Sequence, residues 1–327
     1  MTTLVTGATG FVGGAVARQL VAAGHAVRAM ARSGSTRGTP ADLNVQWVTG
    51  DLVTQEGLAE AVAGCRYVFH VAADYRLWVP DPEPMYRANV EGTEALLRAA
   101  AGAGVERIVY TSSVATLGHV REGVADEDTP VTLVSRVGHY KRSKYLAEQR
   151  VLALHQETSL PVVVVNPSTP IGPGDVKPTP TGRIIVDAAR GRIPAYVDTG
   201  LNIVHVDDVA SGHLQALRRG RVGEKYILGG TDMTLAQILA EVAKLRNRRP
   251  PRVRLPRAPL VPLAAIAEAL ARLTGKPPRF SRDELRMAAR PMYFSSAKAM
   301  KELDYRYRSP QLAISDALQW FERHGYL

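Results

Sequence analysis

The sequence predicts an α/β fold in which a doubly wound parallel sheet is followed by a smaller C-terminal α+β lobe. Three observations carry that expectation. An apolar strand, Leu4-Val5-Thr6, runs straight into Gly7, Gly10 and Gly13 and then into an amphipathic helix. Short apolar strands then alternate with helical periodicity through the first half of the chain. Beyond Pro167 the elements shorten and proline becomes more frequent, as in a lobe built from insertions after the main strands.

Each glycine of the opening turn has a physical use. Gly7 permits the tight turn, Gly10 lets the backbone approach a phosphate group, and Gly13 lets helix and strand pack closely. Such a turn brings the free amides of a helix N-terminus to a dinucleotide pyrophosphate, so a Rossmann-type nucleotide site is expected here. Phe11, Val12, Ala15, Val16, Leu20 and Val21 recur at helical spacing, and Gly24 stops the helix. The next strand runs from His25 to Ala31. An acidic residue at its close would accept from both ribose hydroxyls and select NAD. Ala31 stands there instead, followed by Arg32, whose guanidinium suits the 2'-phosphate of NADP(H). NAD(H) is the alternative if Arg32 is only a solvated loop residue.

Gln46 to Leu52 reads as a third strand, with Asp51 placed either to meet the adenine edge or to cap the helix expected from Gln55 to Ala63. A fourth strand, Tyr67 to Ala73, ends in Ala72 and Ala73, small side chains that let a cofactor cross the sheet's carboxyl edge. The loop from Asp74 to Met85 offers Tyr75 and Trp78 as substrate walls. A helix from Tyr86 to Ala103 carries Asn89, and Arg107 to Ser113 forms a fifth strand with Ser112 and Ser113 at its end. Residues 1–166 are expected to form the dinucleotide-binding domain, completed by about 202–228, and residues 167–201 and 229–327 the substrate-binding lobe.

The chain of 327 residues is long enough for a substantial core. No apolar run is long enough to span a bilayer and no leader pattern opens the sequence, so a cytoplasmic protein is expected. The lone Cys65 excludes an internal disulfide and reads as structural. The acidic run Asp126-Glu127-Asp128 reads as a solvated loop, and no metal site is expected. A net charge of +10 raises nucleic acid as a partner, but no nucleic-acid motif accompanies it. Much of the excess lies between Arg246 and Arg257, a solvated segment whose position beside the apolar stretch Ala258 to Leu273 also admits weak contact with an anionic membrane surface.

A helix beginning near His139 places Tyr140 and Lys144 one turn apart on one face. An ammonium near a phenol favours the phenolate, so Lys144 is expected to lower the Tyr140 pKa and make it a usable proton donor and acceptor. A serine at a neighbouring strand end then holds the substrate oxygen.

With these residues in place the chain resembles the extended short-chain dehydrogenase/reductases. The matching pieces are Thr6 to Gly13, Asp51-Leu52, Thr111-Ser112-Ser113, Tyr140 to Lys144 and His205 to Val209. The resemblance implies Tyr140 as general acid/base, Lys144 as the residue that holds the nicotinamide ribose, and Ser113 as the residue that positions the reacting oxygen. Cofactor contacts are then expected at Gly7, Gly10, Phe11, Val12, Gly13, Arg32, Asp51, Leu52, Ala72, Ala73, Tyr140, Lys144 and Pro167. Members of this family commonly pair through the helices that here carry Asn89 and Tyr140, so a homodimer is admitted. Asn166 to Pro173, Lys177 to Gly182 and Tyr196 to Asn202 resemble the subgroup of hopanoid-associated sugar epimerases, often described as dihydroflavonol 4-reductase-like. Leu201 stands where nucleotide-sugar epimerases usually carry an arginine for the diphosphate.

In the second half, Ile203 to Val206 and Lys225 to Leu228 read as strands that rejoin the sheet. Asp207 reads as a helix cap, Asp208 as a hydrogen-bonding residue and His205 as structural. Helices are expected at Leu235 to Leu245, Pro262 to Leu273, Ser295 to Leu303 and Leu312 to His324, the second packing in the lobe or walling a lipophilic channel. Lys225, Arg286 and Arg290 are available to an acidic substrate but read as surface charge. The favoured function is an NADP(H)-dependent reductase or dehydrogenase acting on a carbonyl or secondary alcohol. An NAD-dependent sugar epimerase and a non-enzymatic cofactor-sensing protein are the alternatives.

Overall fold

The computed structural model describes residues 2–35, 43–120, 123–275, 278 and 281–327. The first half runs β1 (Thr2–Thr6), α1 (Phe11–Ala22), β2 (Ala26–Ala31), β3 (Gln46–Thr49), α2 (Leu58–Val62), β4 (Cys65–His70), α3 (Glu83–Tyr86), α4 (Gly92–Gly102), β5 (Arg107–Thr111), α5 (Gly138–Thr158) and β6 (Val162–Pro167). The second half runs β7 (Thr169–Ile171), α6 (Pro180–Ala189), β8 (Ala195–Val197), β9 (Gly200–His205), α7 (Val206–Arg219), β10 (Lys225–Leu228), β11 (Thr231–Thr234), α8 (Leu235–Leu245), β12 (Val253–Leu255), α9 (Leu260–Thr274), α10 (Arg282–Met287), α11 (Ala297–Leu303) and α12 (Pro310–Arg323).

Seven strands form one parallel sheet in the order β10-β6-β5-β4-β1-β2-β3. The strand order reverses at β1, and ligands gather at the carboxyl ends on either side of such a switch point. Consecutive strand residues face opposite ways, which is why these strands are apolar throughout rather than alternating. Val5, Phe69, Val109 and Val163 face a core completed by α1 and α7, whereas Leu4, Val68, Ile108 and Val164 face one completed by α2, α4 and α5.

The smaller lobe has its own core. Ile171 and Ile203 from β7 and β9 pack with Ile185 of α6, Ile238 of α8 and Ile314 and Phe321 of α12. Lys225–Leu228 joins the large sheet against β6, as expected. Ile203–Val206 does not: residues 200–205 pair with β7 and β11 in a separate three-stranded sheet. The segment is apolar enough for either sheet, and its partners decide which one it joins.

The helix expected from Tyr86 to Ala103 is interrupted. α3 passes through a π-helical turn over Arg87–Glu91 before α4 begins. Such a turn inserts an extra residue and redirects a side chain, here Asn89. The apolar helix expected to be covered by the lobe also differs. α9 buries only Ala264, Glu268 and Ala271, and leaves most of its large apolar side chains in solvent. Among the described residues no helix is long and apolar enough to cross a membrane.

Candidate active site

The glycine turn is built by backbone contact. Gly7 adopts φ +70°, and the Gly10 amide donates to the Gly7 carbonyl at 2.9 Å. A Cβ on Gly7 would stand 2.8 Å from the backbone of Ala72, and one on Gly13 would stand 2.1 Å from the Gly7 carbonyl oxygen. Only hydrogen fits in either place. Gly10 is the N-cap of α1 and brings no side-chain acceptor. The amides of Phe11, Val12 and Gly13 therefore have no acceptor within the helix, and the helix dipole adds positive potential at the same point. This donor set fits a dinucleotide pyrophosphate.

Ala72 and Ala73 follow β4 at the edge of that cradle. Thr6 Oγ1 accepts from the amides of Val71 and Ala72 at 3.1 Å each and is hydrogen-bonded to His70 Nδ1 at 2.8 Å. His70 Nε2 in turn meets Thr93 Oγ1 at 2.9 Å. Complete burial pushes His70 down to about 3, with the Lys144 charge adding to the effect, so the ring is a neutral clasp between strand ends. Sequence reasoning missed it, although a titratable ring closing an apolar strand was the available signal.

Arg32 follows β2 and is exposed. Asp51 lies in the turn after β3, where its carboxylate accepts from the Val53 amide at 2.6 Å. It does not cap α2, whose N-cap is Gly57; the helix cap expected at Asp51 is instead an Asx turn. Leu52 is buried, and a Cβ on Gly92 would come within 2.2 Å of its carbonyl oxygen.

On the other side of the switch point, Tyr140 and Lys144 lie in the first turns of α5. The Tyr140 hydroxyl lies near enough to the Ser113 side chain for the two to interact. A short 3-10 turn over Val114–Thr116 orients that serine, whose Oγ accepts from the Ala115 amide at 3.1 Å. Ser112 faces away, its buried Oγ making no hydrogen bond among the described residues. Lys144 Nζ donates to the Tyr110 hydroxyl at 3.1 Å and the Thr111 carbonyl at 2.9 Å.

The electrostatics differ from expectation. Burial pushes the Tyr140 hydroxyl up, and the nearby Ser113 side chain opposes that rise. The expected lowering by Lys144 is absent because its ammonium is turned toward the end of β5, so desolvation dominates. Lys144 itself is lowered to about 8 by burial, against the pull of Glu148.

Two buried networks hold this group. Asn89, on the π turn, donates to the Asp74 carbonyl at 2.9 Å and Ser143 Oγ at 3.0 Å, and accepts from the Asp74 amide at 2.7 Å. It fastens the loop after β4 to α5. Tyr75 on that loop is near enough to Tyr140 for the two to interact electrostatically, and Trp78 is half-buried further along it. Behind Ser113, Asn166 donates to the Ser113 carbonyl at 3.1 Å and the Glu148 carboxylate at 2.8 Å, and Thr116 donates to the same carboxylate at 2.7 Å. Pro167 closes β6 opposite Leu228.

Other polar candidates serve the fold. Lys225 Nζ donates to the Glu127 carbonyl at 3.0 Å, and Arg286 pairs with Asp283 at 3.4 Å. His205, not Asp207, is the N-cap of α7, accepting from the Asp207 amide at 3.0 Å. Asp208 accepts from the Arg308 backbone at 2.7 Å and its guanidinium at 2.8 Å. Cys65 is buried. Among the described residues no three His, Cys, Asp or Glu side chains are grouped to share a metal ion.

The glycine cradle and the Tyr140 group sit on one sheet edge, on either side of the strand reversal, an arrangement suited to a nicotinamide dinucleotide lying across it. That defines the class, an NAD(P)-dependent enzyme on a Rossmann-type sheet. Residues 3–229 match the NAD dependent epimerase/dehydratase family, and the chain belongs to it, within the extended short-chain dehydrogenase/reductases. A Synechocystis sp. protein provisionally named dihydroflavonol 4-reductase is 43% identical, covering 99% of this chain and 95% of its own. The crystal structure of gox2253 is 54% identical with a TM-score of 0.90, over 100% of this chain and 99% of that one. A nucleoside-diphosphate-sugar epimerase from Pseudomonas aeruginosa is 26% identical with a TM-score of 0.80, over 100% of this chain and 99% of that one.

Proposed function

We propose that the protein is an NADP(H)-dependent carbonyl reductase or alcohol dehydrogenase of the dihydroflavonol 4-reductase-like kind. The approach of the Tyr140 and Ser113 side chains, on the same sheet edge as the glycine cradle, carries this reading. In the reductive direction Tyr140 gives its proton to the substrate oxygen while Ser113 holds that oxygen, and in the oxidative direction the proton returns. Burial favours the neutral phenol, the form that donates. When bound, the nicotinamide supplies or accepts the hydride at its C4 carbon.

Gly7, Gly10, Phe11, Val12 and Gly13 would hold the pyrophosphate and Arg32 the 2'-phosphate. Asp51 and Leu52 would flank the adenine, and Ala72 and Ala73 would leave room for the cofactor to cross the edge. Lys144 and Tyr140 would meet the nicotinamide ribose, and Pro167 would brace the ring. The name of the Synechocystis relative supports reduction. The test is oxidation of NADPH and NADH with a panel of aryl and alkyl ketones, dihydroflavonols included. Turnover that prefers NADPH is expected, and failure to turn over any carbonyl or alcohol counts against the proposal.

The likeness to the Pseudomonas epimerase favours a second reading, a hopanoid-associated sugar epimerase that keeps NAD bound through oxidation and re-reduction. Leu201 in place of a diphosphate-binding arginine weighs against it. Denaturing freshly purified protein and identifying the released nucleotide separates the two, because stoichiometric NAD belongs to the epimerase.

A further inference from the structure

We propose that the outer face of α9 and the arginine segment before it form a docking surface for an anionic lipid bilayer. Leu263, Ile266, Leu270 and Leu273 are spaced three, four and three residues apart and so share one stripe of the helix. Their exposures are 52%, 59%, 55% and 84%. The orientation of the helix is fixed from its other side, where Ala264 and Ala271 are buried and Glu268 accepts from the Arg282 amide at 2.7 Å and its guanidinium at 2.8 Å. The stripe therefore points outward because the opposite face is fastened to the protein.

The charge around the stripe is one-sided. Between Arg246 and Thr274 there are seven arginines and one carboxylate, Glu268, which faces inward. Arg246 and Arg254 are paired with Glu322 and Asp198. Arg249, Arg252, Arg257 and Arg272 are exposed and make no ion pair among the described residues. Val253, Leu255 and Val261 are exposed between and beside them.

An apolar ridge this long, flanked by unbalanced guanidinium groups, selects its occupant by charge. A second copy of the chain would set arginines against arginines on a protein already carrying +10. An anionic bilayer instead takes the leucines and isoleucine into the boundary between headgroups and acyl chains, and offers phosphates to the guanidinium groups. The enzyme would then lie on the surface of the membrane without crossing it, in reach of substrates that partition there.

Sedimentation of the full-length protein with large vesicles tests this, using phosphatidylglycerol and phosphatidylcholine in equal parts against phosphatidylcholine alone. Binding to the anionic vesicles is expected, weakening with salt. Ile266→Glu with Leu270→Glu is expected to lower the partition coefficient about tenfold or more, as is Arg252→Glu with Arg257→Glu. All four side chains are exposed, and circular dichroism melts verify that the variants fold. No binding to anionic vesicles overturns the proposal, as does binding that neither variant weakens. A wild-type dimer in solution that Ile266→Glu with Leu270→Glu dissociates also overturns it, by assigning the stripe to a second copy.

Discussion

Replacing Gly13 by alanine probes the dinucleotide cradle at its tightest point. The new Cβ would stand 2.1 Å from the Gly7 carbonyl oxygen, 2.6 Å from the Gly7 carbonyl carbon and 3.1 Å from the Ala8 amide nitrogen. A relaxed carbon-to-oxygen contact is roughly 3.3 Å, so the deficit is about 1 Å. All three neighbours are backbone atoms, so no side-chain rotation relieves the clash. The turn has little room to retreat either, because a Cβ on Gly7 would already stand 2.8 Å from the backbone of Ala72. The first turn of α1 must therefore lift from β1, at an overpacking cost of about 1–3 kcal/mol in stability. The same lift moves the amides of Phe11, Val12 and Gly13 by about 1 Å, a displacement that weakens a positioned interaction on the order of 10²-fold. Calorimetric titration with NADPH, alongside thermal melts, measures both effects. Gly102→Ala is the control, since a Cβ there meets nothing within 4 Å. NADPH binding by Gly13→Ala as tight as in the wild type would refute the steric reasoning.

Further expectations concern cofactor choice, pH and the supporting networks. Arg32→Glu is expected to weaken NADPH binding about tenfold or more while leaving NADH binding unchanged or improved, and fluorescence titration showing equal loss for both would contradict it. Burial and the neighbouring Arg136 push Lys141 down to about 8 from 10.5. Between those values the unfolded chain binds a proton that the folded protein lacks, so stability rises with pH across the window, and below about 8 this contribution is constant. Lys141→Met is expected to flatten the rise in urea denaturation measured across that range, leaving the part due to Lys144, and an unchanged slope would count against the burial argument. Asn89→Ala strips partners from the Asp74 backbone and Ser143, and is expected to cost about 1–3 kcal/mol in the same measurement.

What the sequence made legible is what depends on local spacing. The glycine turn, the alternation of the first strands and helices, and Tyr140 and Lys144 on one helix all rest on patterns within a few residues. Ser113 came from the family resemblance, and the opposite facing of strand neighbours then set Ser112 aside. What stayed hidden depends on partners distant in the chain. Ile203–Val206 is apolar enough for either sheet, and only β7 and β11 explain its place. The spacing of Lys144 says that it is one turn from Tyr140 but not that its ammonium turns to the Thr111 carbonyl. His70 with Thr6 and Thr93, and Glu148 with Thr116 and Asn166, assemble from separate elements without a contiguous motif. For α9 the apolar composition favoured burial, yet its small residues face inward and its large ones outward.

The central claim, that Tyr140 is the proton donor at the sheet edge, is tested most directly by single-turnover oxidation of NADPH with a reducible carbonyl, comparing the wild type with Tyr140→Phe. Removing one hydroxyl from a half-buried ring leaves the glycine cradle untouched, so NADPH is still expected to bind, with only the contact at the nicotinamide ribose lost. Hydride transfer is expected to slow by about 10²-fold or more. Transfer at the wild-type rate in Tyr140→Phe would contradict the account.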